Sequence, residues 1–333
     1  MPAVELLYQA GLSSFQSGSL AVVNAQVEPR LRELCSKSEI YQLQQSFKPI
    51  CDDIVGMGLK SKCEIDGQFD GVLVLPSKNK RLTFSNMAKA ILLLRENGKI
   101  IMACANAHGA KSYDAALKKL AGYVSSTSKS KCRVFSARRD AGFDEEMAKE
   151  WISAADVRRV EAHGLYSQPG LFSWDRADIG SELLLQYLPE LTGDGMDLCC
   201  GYGLLSERVL KHCSDITQWH MVEADHMALN CAKKNVQSWQ NKVQLYWQDA
   251  QLDDLPRKLD YVICNPPFHT GQDQDIALGQ AVIAQGCRSL KRGGHFYMVA
   301  NRKLPYEAVL AKYLRRFETV IETQGFKIMH GER

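Results

Sequence analysis

The sequence has no long apolar run. Nowhere in its 333 residues do about eighteen consecutive apolar residues occur, the length that a helix needs to cross a bilayer. The amino-terminal stretch MPAVELLYQAGLSS also lacks the basic segment followed by an apolar one that is typical of a secretory signal. We therefore expect a cytoplasmic protein with no membrane partner.

Cysteine is present, but in no pattern that indicates a disulfide framework or a metal centre. The eleven cysteines are scattered, their number is odd, and no Cys-x-x-Cys pair with accompanying histidines occurs. This excludes a disulfide-stapled secreted domain and a zinc site of the usual spacing, and we expect no metal. Most of the cysteines are expected to be small buried apolar residues.

Neither sign of charge dominates. The chain has 41 Lys and Arg against 38 Asp and Glu, a net charge of +3. This excludes binding of a polyanion through overall charge, so a nucleic-acid partner would have to contact a local basic patch. The apolar fraction of 45% is typical of a globular protein, and the length favours two domains of similar size.

Two common nucleotide-binding signatures are missing, and a related pattern is present. Dinucleotide-binding enzymes usually have G-x-G-x-x-G, but the residue three beyond Gly203 is Ser206, and no Lys-Ser or Lys-Thr follows a glycine loop as in a P-loop. Instead, a predicted strand at residues 196–199 leads through DLCCGYG (residues 197–203) into a predicted helix. Glycines at 201 and 203 would let the backbone turn tightly beside a ligand.

Acids follow the next two predicted strands. The strand at residues 219–222 is followed by Glu223, where a carboxylate would hold the two hydroxyls of a ribose. Asp225 suits either a further ribose contact or the N-cap of the next helix. The strand at residues 243–247 leads to Asp249 and Ala250, and Asp249 could bond an adenine amino group. Strands that alternate with helices in this way predict a doubly wound, parallel α/β sheet.

A fourth predicted strand ends in Asn265-Pro266-Pro267-Phe268. The prolines force the chain out of the sheet and leave the carbonyls of residues 265 and 266 free to accept hydrogen bonds. An amide, a carbonyl and an aromatic ring together suit a planar group that bears an NH₂. The alternative is a strand terminator with a buried phenylalanine.

A weak internal repeat relates the two halves of the chain. FDGVLVLP (residues 69–76) parallels LDYVICNP (residues 259–266), and each is followed by a helical segment, a turn and a strand that ends in asparagine. The long period favours duplicated domains, although any two strand-helix-strand units look somewhat alike. The first copy has Leu-Pro-Ser-Lys in place of Asn-Pro-Pro-Phe and no early glycine turn, so we predict domains at residues 1–160 and 161–333, the first degenerate.

The glycine turn, the two acids and the Asn-Pro-Pro-Phe segment, in this order, resemble the motifs of class I S-adenosylmethionine-dependent methyltransferases. Residues 164–189, 265–271, 298–310 and 323–328 resemble the bacterial ribosomal RNA guanine-N2 methyltransferases, in particular those of the small subunit. The resemblance implies two tandem Rossmann-type domains, the first degenerate. It also implies S-adenosylmethionine-dependent methyl transfer to the exocyclic N2 of a guanine in 16S ribosomal RNA. A large-subunit relative shares NPPFH and VANR, so 23S RNA is an alternative target.

The resemblance also implies roles for individual residues. Asn265, Pro266 and Phe268 would be catalytic. The cofactor would be bound by Asp197, Cys199, Gly201, Gly203, Glu223, Asp249, Ala250 and Asn265. The chain departs from the family at Cys199, which is normally glycine, and at Trp174, where a basic residue is common. The first departure supports a rival reading, a catalytically silent RNA-binding assembly protein; methylation of a release-factor glutamine or of an adenine in DNA is a further alternative.

Basic residues that could contact RNA are concentrated in the first half. The densest group comprises Lys131, Arg133, Arg138 and Arg139. Such runs are often only solvated faces, so phosphate binding competes with that reading. We expect ribosomal RNA or the small ribosomal subunit as partner, a first domain with an RNA-binding or structural role, and a monomeric protein that acts in ribosome biogenesis.

Overall fold

The structure, a computed structural model, describes residues 2–267 and 273–333. The chain divides into two compact units, Met1–Asp156 and Val157–Arg333, which we call the first and the second domain. The expected boundary at residue 160 lies a few residues from this division.

The elements of the first domain alternate between strand and helix for most of its length. Its helices are α1 (Pro2–Ser14), α2 (Pro29–Lys37), α3 (Lys48–Gly56), α4 (Lys80–Leu92), α5 (Ala110–Ala121) and α6 (Glu145–Ser153). Its strands are β1 (Ser19–Val23), β2 (Ile40–Gln44), β3 (Ser61–Lys62), β4 (Phe69–Val74), β5 (Leu94–Ala105), β6 (Ser125–Lys129) and β7 (Cys132–Arg138).

The second domain begins with a short antiparallel pair, β8 (Arg158–Arg159) and β9 (Tyr166–Ser167). Its helices are α7 (Ile179–Tyr187), α8 (Leu204–His212), α9 (His226–Asn235), α10 (Asp273–Ser289) and α11 (Glu307–Tyr313). Its remaining strands are β10 (Gly193–Leu198), β11 (Ile216–Glu223), β12 (Val243–Trp247), β13 (Leu259–Cys264), β14 (Leu290–Asn301), β15 (Arg316–Thr323) and β16 (Phe326–Glu332).

The two domains contain sheets of the same topology. Within the described residues each main sheet has seven strands, in the orders β3-β2-β1-β4-β5-β7-β6 and β12-β11-β10-β13-β14-β16-β15. In each sheet five strands run parallel, and the last two are joined antiparallel to the edge. The strand order reverses between β10 and β13, and doubly wound sheets bind ligands at such a switch point.

The duplication extends to single hydrogen bonds. Arg139 in the first domain and Arg333 in the second each donate from Nη1 to two backbone carbonyls at the start of the long strand, β5 or β14. Asp70 and Asp260 each accept a backbone N–H at the start of the central strand, β1 or β10. Equivalent side-chain-to-backbone hydrogen bonds therefore stabilise equivalent strands in both domains.

Both faces of the second sheet are buried. One core forms beneath α10 and α11, and another beneath α7, α8 and α9. The second core is built around Trp219, which is fully buried and donates from Nε1 to the Ser206 hydroxyl at 2.9 Å. Gly195 makes room for it, since a Cβ there would lie 2.4 Å from the indole ring. This packing places the start of α8 directly beside the end of β10.

The sequence-based assignment is incomplete at the carboxyl side of each domain. It predicts parallel strands only, whereas β6 and β7, and likewise β15 and β16, form antiparallel hairpins. The strands β6 and β15 are edge strands whose residues are mostly exposed, so they lack the apolar pattern that identifies the central strands.

Among the described residues, no helix is both long and apolar enough to span a bilayer. All eleven cysteines are free thiols, and nine of them are buried. Within the same residues no group of three or more His, Cys, Asp or Glu side chains is arranged to hold a metal ion.

Candidate active site

The predicted ligand site lies where β10, β11, β12 and β13 end at the same edge of the second sheet. These strands are parallel neighbours, so the residues that follow them are brought together at that edge.

The turn after β10 has three left-handed residues. Cys199, Gly201 and Gly203 have φ of +64°, +55° and +87°. Gly203 is also the N-cap of α8. A Cβ added at Gly201 would meet no atom within 4 Å among the described residues, so the space above the turn is open. The turn thus combines an approachable backbone with the positive end of a helix.

Cys199 occupies a left-handed position that suits glycine, and the turn nevertheless keeps this conformation. The neighbouring Cys264 thiol and burial raise the pKa of the Cys199 thiol well above its ordinary value. Cys199 is therefore a neutral packing group, not a reactive thiolate.

Glu223, at the end of β11, is tied to the glycine turn. Its Oε2 accepts the backbone N–H of Gly201 at 2.8 Å, and its Oε1 accepts that of Asp225 at 2.9 Å. Burial raises the pKa of Glu223, while these backbone hydrogen bonds lower it. Asp225 caps α9 by accepting from Met227 N at 2.9 Å, which is the capping role that the sequence left open.

Asp197, inside β10, is a fully buried carboxyl group. Its Oδ2 accepts the Ser206 hydroxyl at 2.6 Å, and Oδ1 has no hydrogen-bond partner among the described residues. Burial raises the pKa of Asp197 to about 7, above its ordinary value of 3.8. An unpartnered buried oxygen is costly, so this atom is poised for a donor that the chain itself does not supply.

Asp249 and Ala250 lie in a tight turn after β12. Both residues are buried, at 4% and 7% exposure. The Oδ1 of Asp249 accepts from Gln251 N at 2.9 Å, and Asp249 N donates to the Asp253 carboxylate at 2.7 Å. The turn therefore holds the Asp249 carboxyl in one place at the same edge as Glu223.

Asn265, directly after β13, is held by the start of α7. Its Nδ2 donates to Asp178 Oδ2 and to the Ser181 hydroxyl, each at 2.9 Å. Its Oδ1 and the Pro266 carbonyl have no hydrogen-bond partner among the described residues. The third predicted catalytic residue, Phe268, lies outside the described residues.

Asp178 and Ser181 are the two site residues that the sequence analysis missed. They precede Asn265 by more than eighty positions, so no local pattern links them to it. The available signal is the helix start, because an aspartate directly before a helical segment is typical of an N-cap. Asp178 is indeed the N-cap of α7.

The first domain provides an internal comparison for this edge. Val23 pairs with Val74 as Leu198 pairs with Cys264, and β2 pairs with β1 in the same way as β11 with β10. The register gives three equivalent pairs: Asn24 with Cys199, Gln45 with Glu223, and Leu75 with Asn265. The left-handed turn is kept, since Asn24 has a φ of +59°.

Amide side chains fill the edge of the first sheet. Asn24 donates from Nδ2 to the carbonyls of Leu75 and Pro76, at 3.3 and 3.4 Å. Gln45 donates from Nε2 to the Ala25 carbonyl at 2.8 Å. The Pro76 carbonyl, which is equivalent to the Pro266 carbonyl of the second domain, is therefore occupied by the first domain's own Asn24.

The four basic residues predicted to contact RNA do not form one patch. Lys131 is exposed at the tip of the β6–β7 hairpin, and Arg133 pairs with Asp114 at 2.6 Å. Arg138 and Arg139 lie at the other end of β7, roughly 20 Å away along the strand. Both of these donate to backbone carbonyls, so Arg139 in particular has a structural role.

Comparison with known families assigns the second domain. The family model described as "Methyltransferase small domain" matches residues 162–330, just over half of the chain. This chain belongs to that family. The methyltransferase small domain coincides with the unit that contains the turn, Glu223 and Asn265. The expected enzyme class, a methyltransferase, is thereby confirmed.

Curated relatives of this methyltransferase are named ribosomal RNA small subunit methyltransferase C. The protein from Psychromonas ingrahamii is 29% identical over 266 residues, which cover 79% of this chain and 75% of the relative. The protein from Haemophilus influenzae (strain PittGG) is 28% identical over 268 residues, or 80% of each chain. The resemblance predicted from the sequence motifs is confirmed.

A solved structure has the same architecture along the whole chain. It is the T. thermophilus 16S rRNA N2 G1207 methyltransferase (RsmC) in complex with AdoMet and guanosine. The TM-score is 0.83 at 22% identity, with 100% of this chain and 92% of the other covered. The predicted fold class, two class I methyltransferase-like domains in tandem, is confirmed.

Proposed function

We propose that this protein transfers a methyl group from S-adenosylmethionine to the exocyclic N2 of a guanine in 16S ribosomal RNA. The observation that carries the proposal is the Asn265 amide. Both of its N–H groups donate to residues at the start of α7, so Oδ1 is the amide atom that can accept a hydrogen bond from a substrate. An oxygen acceptor beside a second acceptor, the Pro266 carbonyl, suits an NH₂ group.

The residues at the edge fit the cofactor. The unpartnered Oδ1 of buried Asp197 is an acceptor for a cationic amino group, and the open space above Gly201 admits a ligand close to the backbone. Glu223 keeps two free lone pairs beyond its backbone contacts, which suits a ribose diol. Asp249 and Ala250 would lie against the adenine. The relatives' names and the AdoMet of the T. thermophilus structure support this choice of cofactor.

When bound, S-adenosylmethionine supplies an electrophilic methyl group on a sulfonium. The N2 of guanine is a weak nucleophile because its lone pair is conjugated with the ring. Asn265 Oδ1 and the Pro266 carbonyl would accept its two hydrogens, draw the lone pair out of conjugation and aim it at the methyl carbon. The new N–C bond would form as the C–S bond breaks, and the proton lost from N2 would pass to water. Phe268 would stack on a base flipped out of its helix.

The first domain is proposed to bind the RNA. The edge of its sheet that is equivalent to the candidate active site is filled by amide side chains, so the first domain is not expected to bind a second cofactor. Lys129, the last residue of β6, and Lys131, in the β6–β7 turn, are both exposed and are our candidates for phosphate contacts. Ribosomal RNA or the small subunit would be the partner, in the cytoplasm, with the enzyme acting as a monomer.

The proposal is tested by measuring cofactor binding and methyl transfer separately. Calorimetry should show one S-adenosylmethionine site per chain, and labelled methyl groups should appear in 16S RNA as N2-methylguanosine. The silent assembly protein would show no saturable binding of the cofactor. A 23S enzyme would bind the cofactor but label only large-subunit RNA, and a glutamine or adenine enzyme would label neither RNA at guanine.

A further inference from the structure

The start of α7 forms a compact hydrogen-bonded unit with Asn265. The Oδ2 of Asp178 accepts two hydrogens, one from Ser181 N at 2.8 Å and one from Asn265 Nδ2 at 2.9 Å. The second hydrogen of Nδ2 goes to the Ser181 hydroxyl at 2.9 Å. A single carboxylate oxygen therefore caps the helix and holds the amide at the same time.

These contacts determine which way the Asn265 amide faces. A carboxylate can only accept, and it is already receiving a backbone N–H, so the amide must present Nδ2 to it and not Oδ1. Rotation of the amide by half a turn would place Oδ1 against the Asp178 carboxylate, which cannot donate, and that hydrogen bond would be lost. The Asp178 carboxylate thus fixes the orientation of the Asn265 amide, whether or not a substrate is bound.

The packing around Asp178 keeps the carboxylate in place. A Cβ added at Gly180 would lie 3.1 Å from Asp178 Oδ2 and 3.1 Å from the ring of Phe326. The absence of a side chain at Gly180 therefore leaves the space that the carboxylate occupies. Ser181 is also buried, at 6% exposure, so water does not readily compete for its hydroxyl.

The first domain lacks the amide of this arrangement. Its α1 packs on β5 and β7 as α7 packs on β14 and β16, and Leu75 stands in place of Asn265. At this position the first domain therefore has no side-chain amide to orient.

We propose that Asp178 and Ser181 are positioning residues for methyl transfer: they preset the Asn265 amide so that its oxygen faces the substrate amino group. The proposal rests on the proposed function, and specifically on the role of Asn265 Oδ1. Neither residue is assigned contact with cofactor or RNA; both act through Asn265. Presetting holds the amide oxygen in the place and orientation that the reaction needs, which is where the rate advantage arises.

Three substitutions separate positioning from helix capping. In Asp178→Ser the hydroxyl can still cap α7 but is too short to reach Asn265. In Asp178→Asn the amide oxygen is directed to Ser181 N, the place of Oδ2, and can still accept from Asn265. Ser181→Ala removes only the second acceptor. Asp144→Ser is the matched control, because Asp144 caps α6 by accepting from Met147 N at 2.9 Å and has no role in the site.

The expected effects fall on the rate of transfer. Asp178→Ser should lower single-turnover methyl transfer to 16S RNA by about 10²-fold. Ser181→Ala should lower it by about 10-fold, and Asp178→Asn should retain it within about threefold. The affinity for S-adenosylmethionine and the thermal unfolding profile should stay close to wild type. Equal rates for wild type and Asp178→Ser would overturn the proposal, and so would an Asp178→Asn rate as low as that of Asp178→Ser.

A double-mutant cycle provides a readout that a structural role would not change. If Asp178 acts through Asn265, then Asp178→Ser should cause no further loss in an Asn265→Ala background. An additive loss would show that Asp178 supports the fold or another group, and would contradict the inference. If Asp178→Ser does not fold, Ser181→Ala in the same cycle decides the question. Failure of the proposed function is distinct, because then wild type itself would not methylate guanine.

Discussion

Replacement of Glu223 by glutamine tests the cofactor site in the most detail. Glu223 accepts two backbone N–H groups, one on each carboxylate oxygen, from Gly201 and Asp225. In Glu223→Gln a single oxygen remains, so one of these N–H groups must face an NH₂. The substitution also removes the negative charge that would hold the ribose.

The magnitude follows from these two losses. An unpaired buried N–H costs about 1–3 kcal/mol. Burial disfavours the charged form of Glu223 and so raises its pKa, and a neutral glutamine avoids part of this desolvation cost. We therefore expect a net decrease of about 1 kcal/mol in the free energy of unfolding. Loss of one charge-assisted hydrogen bond to the ribose, about 1.5–3 kcal/mol, corresponds to roughly 10- to 150-fold weaker cofactor binding.

Calorimetry with S-adenosylmethionine, together with thermal unfolding, measures both effects. The matched control is Gln45→Glu, which places a carboxylate at the equivalent position of the first sheet. Because Asn24 and Gln26 still fill that edge, we expect one cofactor site per chain in the control. A dissociation constant for Glu223→Gln within about threefold of wild type would refute the assigned role.

Three further outcomes are expected. Asn265→Ala should lower single-turnover transfer by about 10²-fold or more while calorimetry shows nearly unchanged cofactor affinity; retained transfer would refute its role. Burial raises the pKa of Asp197 to about 7 from an ordinary value of 3.8, so the folded chain binds one proton more than the unfolded chain between these pH values. The stability that this carboxyl contributes is therefore present below about pH 4 and is lost as pH rises to about 7. Urea unfolding of the cofactor-free protein at several pH values should show this slope, and Asp197→Asn should flatten it; an equal slope in the variant would contradict the assignment. Lys129→Ala and Lys131→Ala should each weaken RNA binding and reduce the slope of log affinity against log salt by about 1, measured by filter binding, and unchanged slopes would place the RNA elsewhere.

Much of the second domain could be predicted from its sequence because its strands are short, apolar and separated by helices of regular period. The residues that follow those strands meet at one edge by topology alone, which is why Glu223, Asp249 and Asn265 could be named together. The duplication was visible for the same reason, since both domains repeat one pattern of strand and helix.

The antiparallel hairpins could not be predicted in this way. Edge strands such as β6 are exposed along their length and contribute no side chains to the core, so their sequences show no alternation of apolar and polar residues. Their turns are also unusual, because Ser130 and Lys131 both adopt left-handed φ of +51° and +57°, where Asn-Gly is the common signal. The sequence at this turn reads as a basic run and not as a hairpin.

The contact of Asp178 with Asn265 was hidden for a different reason. It joins two residues that are 87 positions apart and depends on how α7 packs against the sheet. The same limit applies to Arg139, which resembles a phosphate contact in the sequence but donates to backbone carbonyls in the structure. Charge identifies candidates for RNA contact, whereas only the fold shows which side chains are already engaged.

Methylation of a guanine N2 in 16S ribosomal RNA is tested most directly by nucleoside mapping in cells. Small-subunit RNA from cells that lack this protein should have lost one N2-methylguanosine. The wild-type gene should restore that nucleoside, and Asn265→Ala should not. An unchanged set of methylguanosines in the RNA of cells without the protein would contradict the claim.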